Sequence, residues 1–304
     1  MIYTITLNPA IDHYMLVDKQ LINDEVNRAK TDYFKAGGKG LNVSRILEMW
    51  NIENTAIALV GGFTGSYIKE EFSHKELVKF IGIDLEGNTR INSKIYSPTQ
   101  TICVNGNGPI ATEETKKEIL ASLKYITNKD VVMICGSSCN GLSKSFLEEL
   151  CDYIHDKGTH LVIDMESLNI EEIQKLKPDL IKPNRYELSL MLKDDQPLEI
   201  QANTLLKNGL SSILVSLGED GAYYSNGNAV YKVTQPKISA INKVGCGDAM
   251  LGTFMGILDQ TKDIELALKY SVAAGCATAT SLKDITQEEI LTIAKEIQVN
   301  KIER

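Results

Sequence analysis

The chain has 304 residues, enough to bury a large core as one big domain or one domain plus a small annex, and its 43% hydrophobic and 24% charged content is that of a globular protein. A net charge of −8 argues against a nucleic-acid or anionic-membrane surface, and no stretch reaches the roughly 18 apolar residues of a membrane-spanning helix. The opening residues lack the basic and apolar regions of a secretory signal, so a cytoplasmic location is expected. The six cysteines are scattered with no C-x-x-C, and the four histidines form no H-E-x-x-H. Reduced, mostly buried thiols are expected, and a protein-built transition-metal site is not.

Tyr3 to Leu7 alternates and predicts a strand, which Asn8-Pro9-Ala10 ends, so that Asp12 falls in the following loop. Gly37-Gly38-Lys39-Gly40 then opens a segment in which Val43, Ile46, Leu47 and Trp50 recur at helical spacing, predicting a helix through about Met49. Such a loop offers backbone N–H groups and one ammonium to an anion; its glycine spacing is not that of a P-loop, and a solvated flexible loop is the alternative. Thr55 to Val60 predicts a strand ending in Gly61-Gly62-Phe63-Thr64-Gly65, and Ser66 to Phe72 starts a helix. Thr89 to Ile95 and Thr101 to Val104 read as short strands with no helix between them. With part of residues 12–34 they predict a small sheet laid over a main one. Arg90 and Asn92, two apart, share one face of it, where Arg90 suits a phosphate or is an ordinary surface arginine.

From Thr112 a βα rhythm resumes. Helices are predicted over 112–127, 144–157 and 170–177, and strands over 131–135 and 160–164. Leu180-Ile181-Lys182 runs into Pro183-Asn184-Arg185-Tyr186-Glu187. If Pro183 starts a helix, Asn184 and Glu187 share its first turn, where Glu187 either holds Mg²⁺ through water or only complements the helix dipole. A strand over 212–216, a turn through Gly218 and Gly221, and a hairpin closed by Asn226-Gly227-Asn228 follow. The two glycines can present N–H groups to a nucleotide phosphate. Gly245-Cys246-Gly247-Asp248 then leads into a small-residue helix, Ala249 to Leu258. Its free N–H groups suit anionic oxygens, and Asp248 is either a base or a helix cap. Residues 264–283 read as an Ala/Gly-rich helix whose stripe around Ala274 allows close packing or lodges a flat base. Residues 287–297 close the chain as an amphipathic helix.

Taken in this order, the segments Thr6 to Asp12, Ala36 to Arg45, Gly61 to Gly65, Thr89 to Asn92, Lys182 to Glu187, Ser216 to Gly221 and Gly245 to Asp248 resemble the ribokinase-like (PfkB) sugar kinases from end to end. The likeness is greatest to the 1-phosphofructokinase and tagatose-6-phosphate kinase branch. The resemblance implies one kinase domain over 1–304, with a three-layer α/β/α core, a mostly parallel sheet and a small β-sheet lid from about 12–34 and 89–105. It implies ATP and Mg²⁺ as cofactors, Asp248 as catalytic base, and Gly245, Cys246 and Gly247 as an anion hole. Asp12, Gly37, Gly38, Lys39, Asn42, Arg90 and Asn92 match positions that bind the sugar phosphate. Lys182, Asn184, Ser216, Gly218, Gly221, Gly247 and Ala274 match nucleotide positions, with Glu187 on the Mg²⁺ network. The expected reaction converts fructose 1-phosphate to fructose 1,6-bisphosphate. Alternatives are tagatose-6-phosphate kinase chemistry, or a sugar-phosphate and nucleotide binder without turnover. A homodimer through the lid is compatible with the resemblance; nucleic-acid and membrane partners are not expected.

Three departures stand out. Cys246 replaces a usual Ala or Ser, and a thiol at a helix N-terminus is expected to be acidic and oxidation-sensitive. Lys243 replaces a small hydroxyl residue and adds positive charge. Thr101 to Asn105 lacks the acidic residue of the usual lid segment.

Overall fold

The computed structural model describes residues 1–166, 168–242 and 244–302. The first strand, β1 (Ile2–Thr6), ends where Pro9 breaks the ladder, and the chain turns into β2 (Ala10–Leu16) and β3 (Thr31–Gly37). Helices α1 (Lys39–Met49) and α2 (Gly62–Ser73) flank β4 (Asn54–Val60). Three strands follow: β5 (Val78–Asp84), β6 (Arg90–Tyr96) and β7 (Thr101–Asn105). Alternation then sets in with α3 (Glu113–Ser122), β8 (Val131–Cys135), α4 (Lys144–Asp156), β9 (His160–Asp164), α5 (Ile170–Leu176) and β10 (Leu180–Ile181). Helices α6 (Arg185–Leu192) and α7 (Leu198–Lys207) lead to β11 (Ser212–Ser216), β12 (Ala222–Ser225) and β13 (Val230–Thr234). The chain finishes with α8 (Cys246–Thr261), α9 (Ile264–Ala279), α10 (Gln287–Ala294) and β14 (Gln298–Ile302).

Ten strands form one sheet in the order β14-β13-β12-β11-β10-β9-β8-β1-β4-β5. From β5 to β11 every pairing is parallel; β12, β13 and β14 join antiparallel. Parallel neighbours need crossover helices, which cover both faces, and the central strands are accordingly apolar on both sides. Ile5, Ile57, Val132, Ile134 and Ile163 point to one face with α3, α4, α5 and α6 side chains such as Ile119, Leu150, Ile173 and Leu188. Ile2, Met133, Val162 and Leu214, out of phase by one residue, meet α1, α8 and α9 through Leu47, Leu251, Phe254 and Leu268 on the other. This is the expected three-layer α/β/α core. The second sheet, β3-β2-β6-β7, seats on α1, α2 and β4 through Ile11, Ala36, Leu41, Val60, Ile68 and Phe72.

Several elements differ from the sequence expectation. Asp12 is not in a loop: β2 begins at Ala10, so Asp12 is an inner residue of a small-sheet strand paired with Lys35 and Asn92. Gly61 to Gly65 is the start of α2, packed on the Leu85–Gly87 backbone, rather than a free loop. Helices α3 and α9 stop at Ser122 and Ala279, short of Thr127 and Lys283. β5, α7 and β14 have no counterpart in the sequence reading.

Candidate active site

The parallel strands end at one rim, and the small sheet stands over it. Between them lies a cleft of about 980 Å³. The region outside the carboxyl ends of parallel strands is where α/β sheets bind ligands.

Two helix N-termini without a side-chain cap open into this cleft. Both α1 and α8 are capped by glycine with no side chain on their first N–H groups, whereas α3, α4, α5, α6, α9 and α10 each have a Thr, Ser, Asn or Asp cap. Gly38 has φ 123° and Gly245 has φ 79°, values that side-chain-bearing residues rarely adopt, so glycine is required at both turns. The result is two sets of unpaired backbone donors aimed at one volume, an arrangement suited to phosphate oxygens.

Asp248 sits in the first turn of α8 and is buried. It does not cap its helix, because Gly245 occupies that position. Its Oδ2 instead accepts a hydrogen bond of 2.7 Å from Asn42 Nδ2 on α1. Burial, then the nearby Asp164 carboxylate, raise its carboxyl to about 6, while Asn42, Lys39 and Lys182 pull the other way. A carboxylate poised near neutrality at the mouth of an anion-binding turn has the properties of a general base.

Around it the cations form an arc. Lys39 Nζ lies 3.3 Å from Asp164 Oδ1 and 3.9 Å from Glu166 Oε1. Burial opposes its charge, but Asp164, Asp248, Glu166 and Glu187 together hold the ammonium above the usual lysine range. Lys182 Nζ lies 3.5 Å from Asp164 Oδ2 and is so close to Gly247 that a Cβ there would stand 2.8 Å from the amine. From the small sheet, Arg90 donates to the carbonyls of Asn8 and Pro9 and lines the cleft. Asn92 Nδ2 donates to Asp12 Oδ1 at 3.1 Å, and Lys94 Nζ donates to Asp12 Oδ2 at 2.6 Å.

Asn184 and Glu187 form a capping box on α6. Asn184 Oδ1 accepts from the Glu187 N–H, and Glu187 Oε2 accepts from the Asn184 N–H at 2.7 Å. Helix α6 therefore starts at Arg185 rather than Pro183. One oxygen of Glu187 remains for other partners, and the residue shares a small recess with Asp164 and Lys182. Among the described residues no three His, Cys, Asp or Glu cluster to enclose a metal. Buried Asp164 Oδ2 has no hydrogen-bond partner. A buried carboxylate oxygen that accepts no hydrogen bond and faces the Lys182 ammonium at 3.5 Å, in a recess shared with Glu187, leaves two acids able to share the shell of Mg²⁺ with phosphates and water.

The cleft brings together Asp12, Gly38, Lys39, Asn42, Arg90, Asn92, Lys182, Asn184, Glu187, Ser216, Gly218, Gly221, Gly245, Cys246, Gly247 and Asp248. Gly37 lies just behind it, where a Cβ would meet Asp12 Oδ2 at 2.6 Å. Ala274 does not reach it: the residue is fully buried in the core, and its neighbours Gly275 and Cys276 form the wall instead. The thiol of Cys246 is not acidic, because burial and Asp248 push it up to about 11. Lys243 lies outside the described residues. Three charged participants, Lys94, Asp164 and Glu166, have no counterpart in the sequence reading. Lys94 continues the period-2 face of Arg90 and Asn92, and Asp164 ends a parallel strand at the rim. Those two signals were available.

The pattern of the pfkB family carbohydrate kinases matches residues 5–291. The chain belongs to this family. Among its relatives, the kinase is 31% identical to 1-phosphofructokinase of Bacillus subtilis, covering 99% of this chain and 100% of the relative. It is 32% identical to tagatose-6-phosphate kinase of Staphylococcus epidermidis, covering 99% and 100%. In fold it is similar to phosphofructokinase-2 from Escherichia coli in complex with substrates and products, with a TM-score of 0.89, 24% identity and coverage of 97% and 98%. The kinase is thus a phosphotransferase with an alcohol group as acceptor, acting in carbohydrate metabolism. Among its described residues no helix is long and apolar enough to cross a membrane.

Proposed function

We propose that the kinase transfers the γ-phosphoryl group of ATP to a primary hydroxyl of a ketohexose phosphate, fructose 1-phosphate giving fructose 1,6-bisphosphate. The observation that carries this is buried Asp248, raised to about 6, in the first turn of an uncapped helix that opens on the cleft. Asp248 accepts the proton of the attacking hydroxyl. The N–H groups of Cys246 and Gly247 and the Lys182 ammonium beside them stabilise charge on the transferring group. Lys39 and Arg90 hold the phosphate already on the sugar, while Asp12, Asn42 and Asn92 bind its hydroxyls. Asn184, Ser216, Gly218 and Gly221 line the nucleotide end. Glu187, with Asp164 behind it, would hold Mg²⁺, which when bound neutralises phosphate charge. The small sheet acts as a lid that excludes water.

The second reading is tagatose-6-phosphate kinase chemistry, favoured by the similarity to that Staphylococcus enzyme. An ADP-release assay over fructose 1-phosphate, tagatose 6-phosphate and fructose 6-phosphate separates them. Fructose 1-phosphate is expected to give the highest kcat/KM, by at least about tenfold. A higher value for tagatose 6-phosphate overturns the first reading in favour of the second.

A further inference from the structure

Asn42 links the base to a residue outside the cleft. Its Nδ2 donates to Asp248 Oδ2 at 2.7 Å, and its Oδ1 accepts from Arg45 Nη1 at 2.9 Å. Arg45 is itself held on several sides. Its Nε and Nη2 donate to Glu71 Oε1 at 3.1 and 2.5 Å, Nη2 also donates to the Ala36 carbonyl at 2.6 Å, and the guanidinium lies over the Phe72 ring at 4.9 Å. Glu71 Oε2 in turn accepts from the Ala36 N–H at 2.9 Å. Arg45 does not line the substrate cleft. It borders an adjoining cavity of about 270 Å³ that shares Asp12, Asn42, Val244 and Gly245 with the cleft.

A carboxamide is nearly symmetric in shape but not in chemistry. Rotated by half a turn, Asn42 would set its oxygen against the Asp248 carboxylate and its amino group against the donors of Arg45, so both contacts would become repulsive. An arginine fixed at its other end decides this choice. We propose that Arg45 is a positioning residue for phosphoryl transfer, holding the Asn42 carboxamide in the orientation that donates to Asp248. The inference rests on Asp248 being the base. Because Arg45 also holds the Ala36 carbonyl of β3, the same guanidinium ties the root of the small sheet to the catalytic carboxylate.

The groups facing Asp248 are Asp164 from the end of β9, Cys135 from the end of β8, Lys39 and Asn42 from α1, Lys182 after β10 and Cys246 on its own helix. Arg45 is not among them, so its effect is routed through Asn42. Arg45→Gln is expected to lower kcat on the order of 10- to 100-fold with the KM for ATP within about threefold, and to move the acidic limb of the kcat profile to higher pH. Arg45→Lys, which keeps a charge facing Glu71, is expected to recover part of the rate, and it carries the test if Arg45→Gln fails to fold. In an Asn42→Ala background, adding Arg45→Gln is expected to change kcat by less than about threefold, since the relay is already cut. The inference is overturned if the two losses multiply, or if neither Arg45 variant moves the acidic limb. Asp248→Asn separates it from the reading beneath it. Near-normal turnover in that variant removes the base itself; loss of turnover together with multiplying Arg45 and Asn42 effects removes the relay alone.

Discussion

Asp248, the proposed base, carries a cost. A buried carboxyl raised from 3.8 to about 6 is less stable ionised in the folded state than in the unfolded one. Below about pH 4 both states hold the proton and the penalty is absent. It grows as pH rises from about 4 to about 6, where the unfolded chain ionises first, and is complete above that. Asp248→Asn is therefore expected to raise stability by up to about 3 kcal/mol at pH 8 and by almost nothing at pH 4, as urea unfolding at the two pH values would reveal. An equal or lower stability at pH 8 contradicts the assigned cost. In the proposed mechanism the same ionisation sets the rate: kcat is expected to fall as pH drops through about 6, because a protonated Asp248 cannot accept the hydroxyl proton. Cys246 makes a contrasting case. A helix N-terminus favours a thiolate in isolation, but here burial and the adjacent acid outweigh it, so the thiol stays protonated at neutral pH.

Helix α8 meets α9 and α1 along small residues, and its glycines are not equivalent. A Cβ on Gly252 would stand 2.9 Å from Ile46 Cβ and 3.2 Å from the Val43 carbonyl, neither of which can move without shifting α1. A Cβ on Gly256 would meet only terminal methyl carbons of Ile52 and Leu47. Gly252→Ala is expected to destabilise by about 1–2 kcal/mol after its gain in helix propensity, while Gly256→Ala is neutral or stabilising. Thermal unfolding of the two variants would show no difference between them if these contacts did not matter. The same element scale shows what the sequence makes legible. The central strands β8, β9 and β11 were read with their observed ends, because burial on both faces demands an unbroken apolar run bounded by polar residues. β5 and β14 are the two edges of the large sheet, where one open flank admits Lys79, Asp84, Gln298 and Lys301 and blurs the pattern. The glycine turns before α1 and α8 were legible because their backbone angles require that residue. Lys94 and Asp164 do not stand out in the sequence: a lone charge in a strand is ordinary until the fold brings Lys94 diagonally onto Asp12 and the rim sets Asp164 between two lysines.

At the scale of the molecule, the ten-stranded sheet supplies a fixed rim and the small sheet supplies a roof, and the roof is tied to Asp248. Asp12, Asn92 and Lys94 form a polar cluster under the roof, and Arg45 runs from β3 to Asn42 and so to Asp248. In the proposed mechanism, sugar binding against that cluster closes the roof and excludes the water that would otherwise take the phosphoryl group. ATP hydrolysis without sugar is accordingly expected to run at less than about 1% of the rate with fructose 1-phosphate, measured as ADP release. The most direct test of the whole account is the kcat of Asp248→Asn with saturating ATP and fructose 1-phosphate. A fall of about 10² to 10⁴-fold, with the KM for ATP nearly unchanged, is the predicted result; a kcat within a few-fold of the unaltered kinase would contradict it.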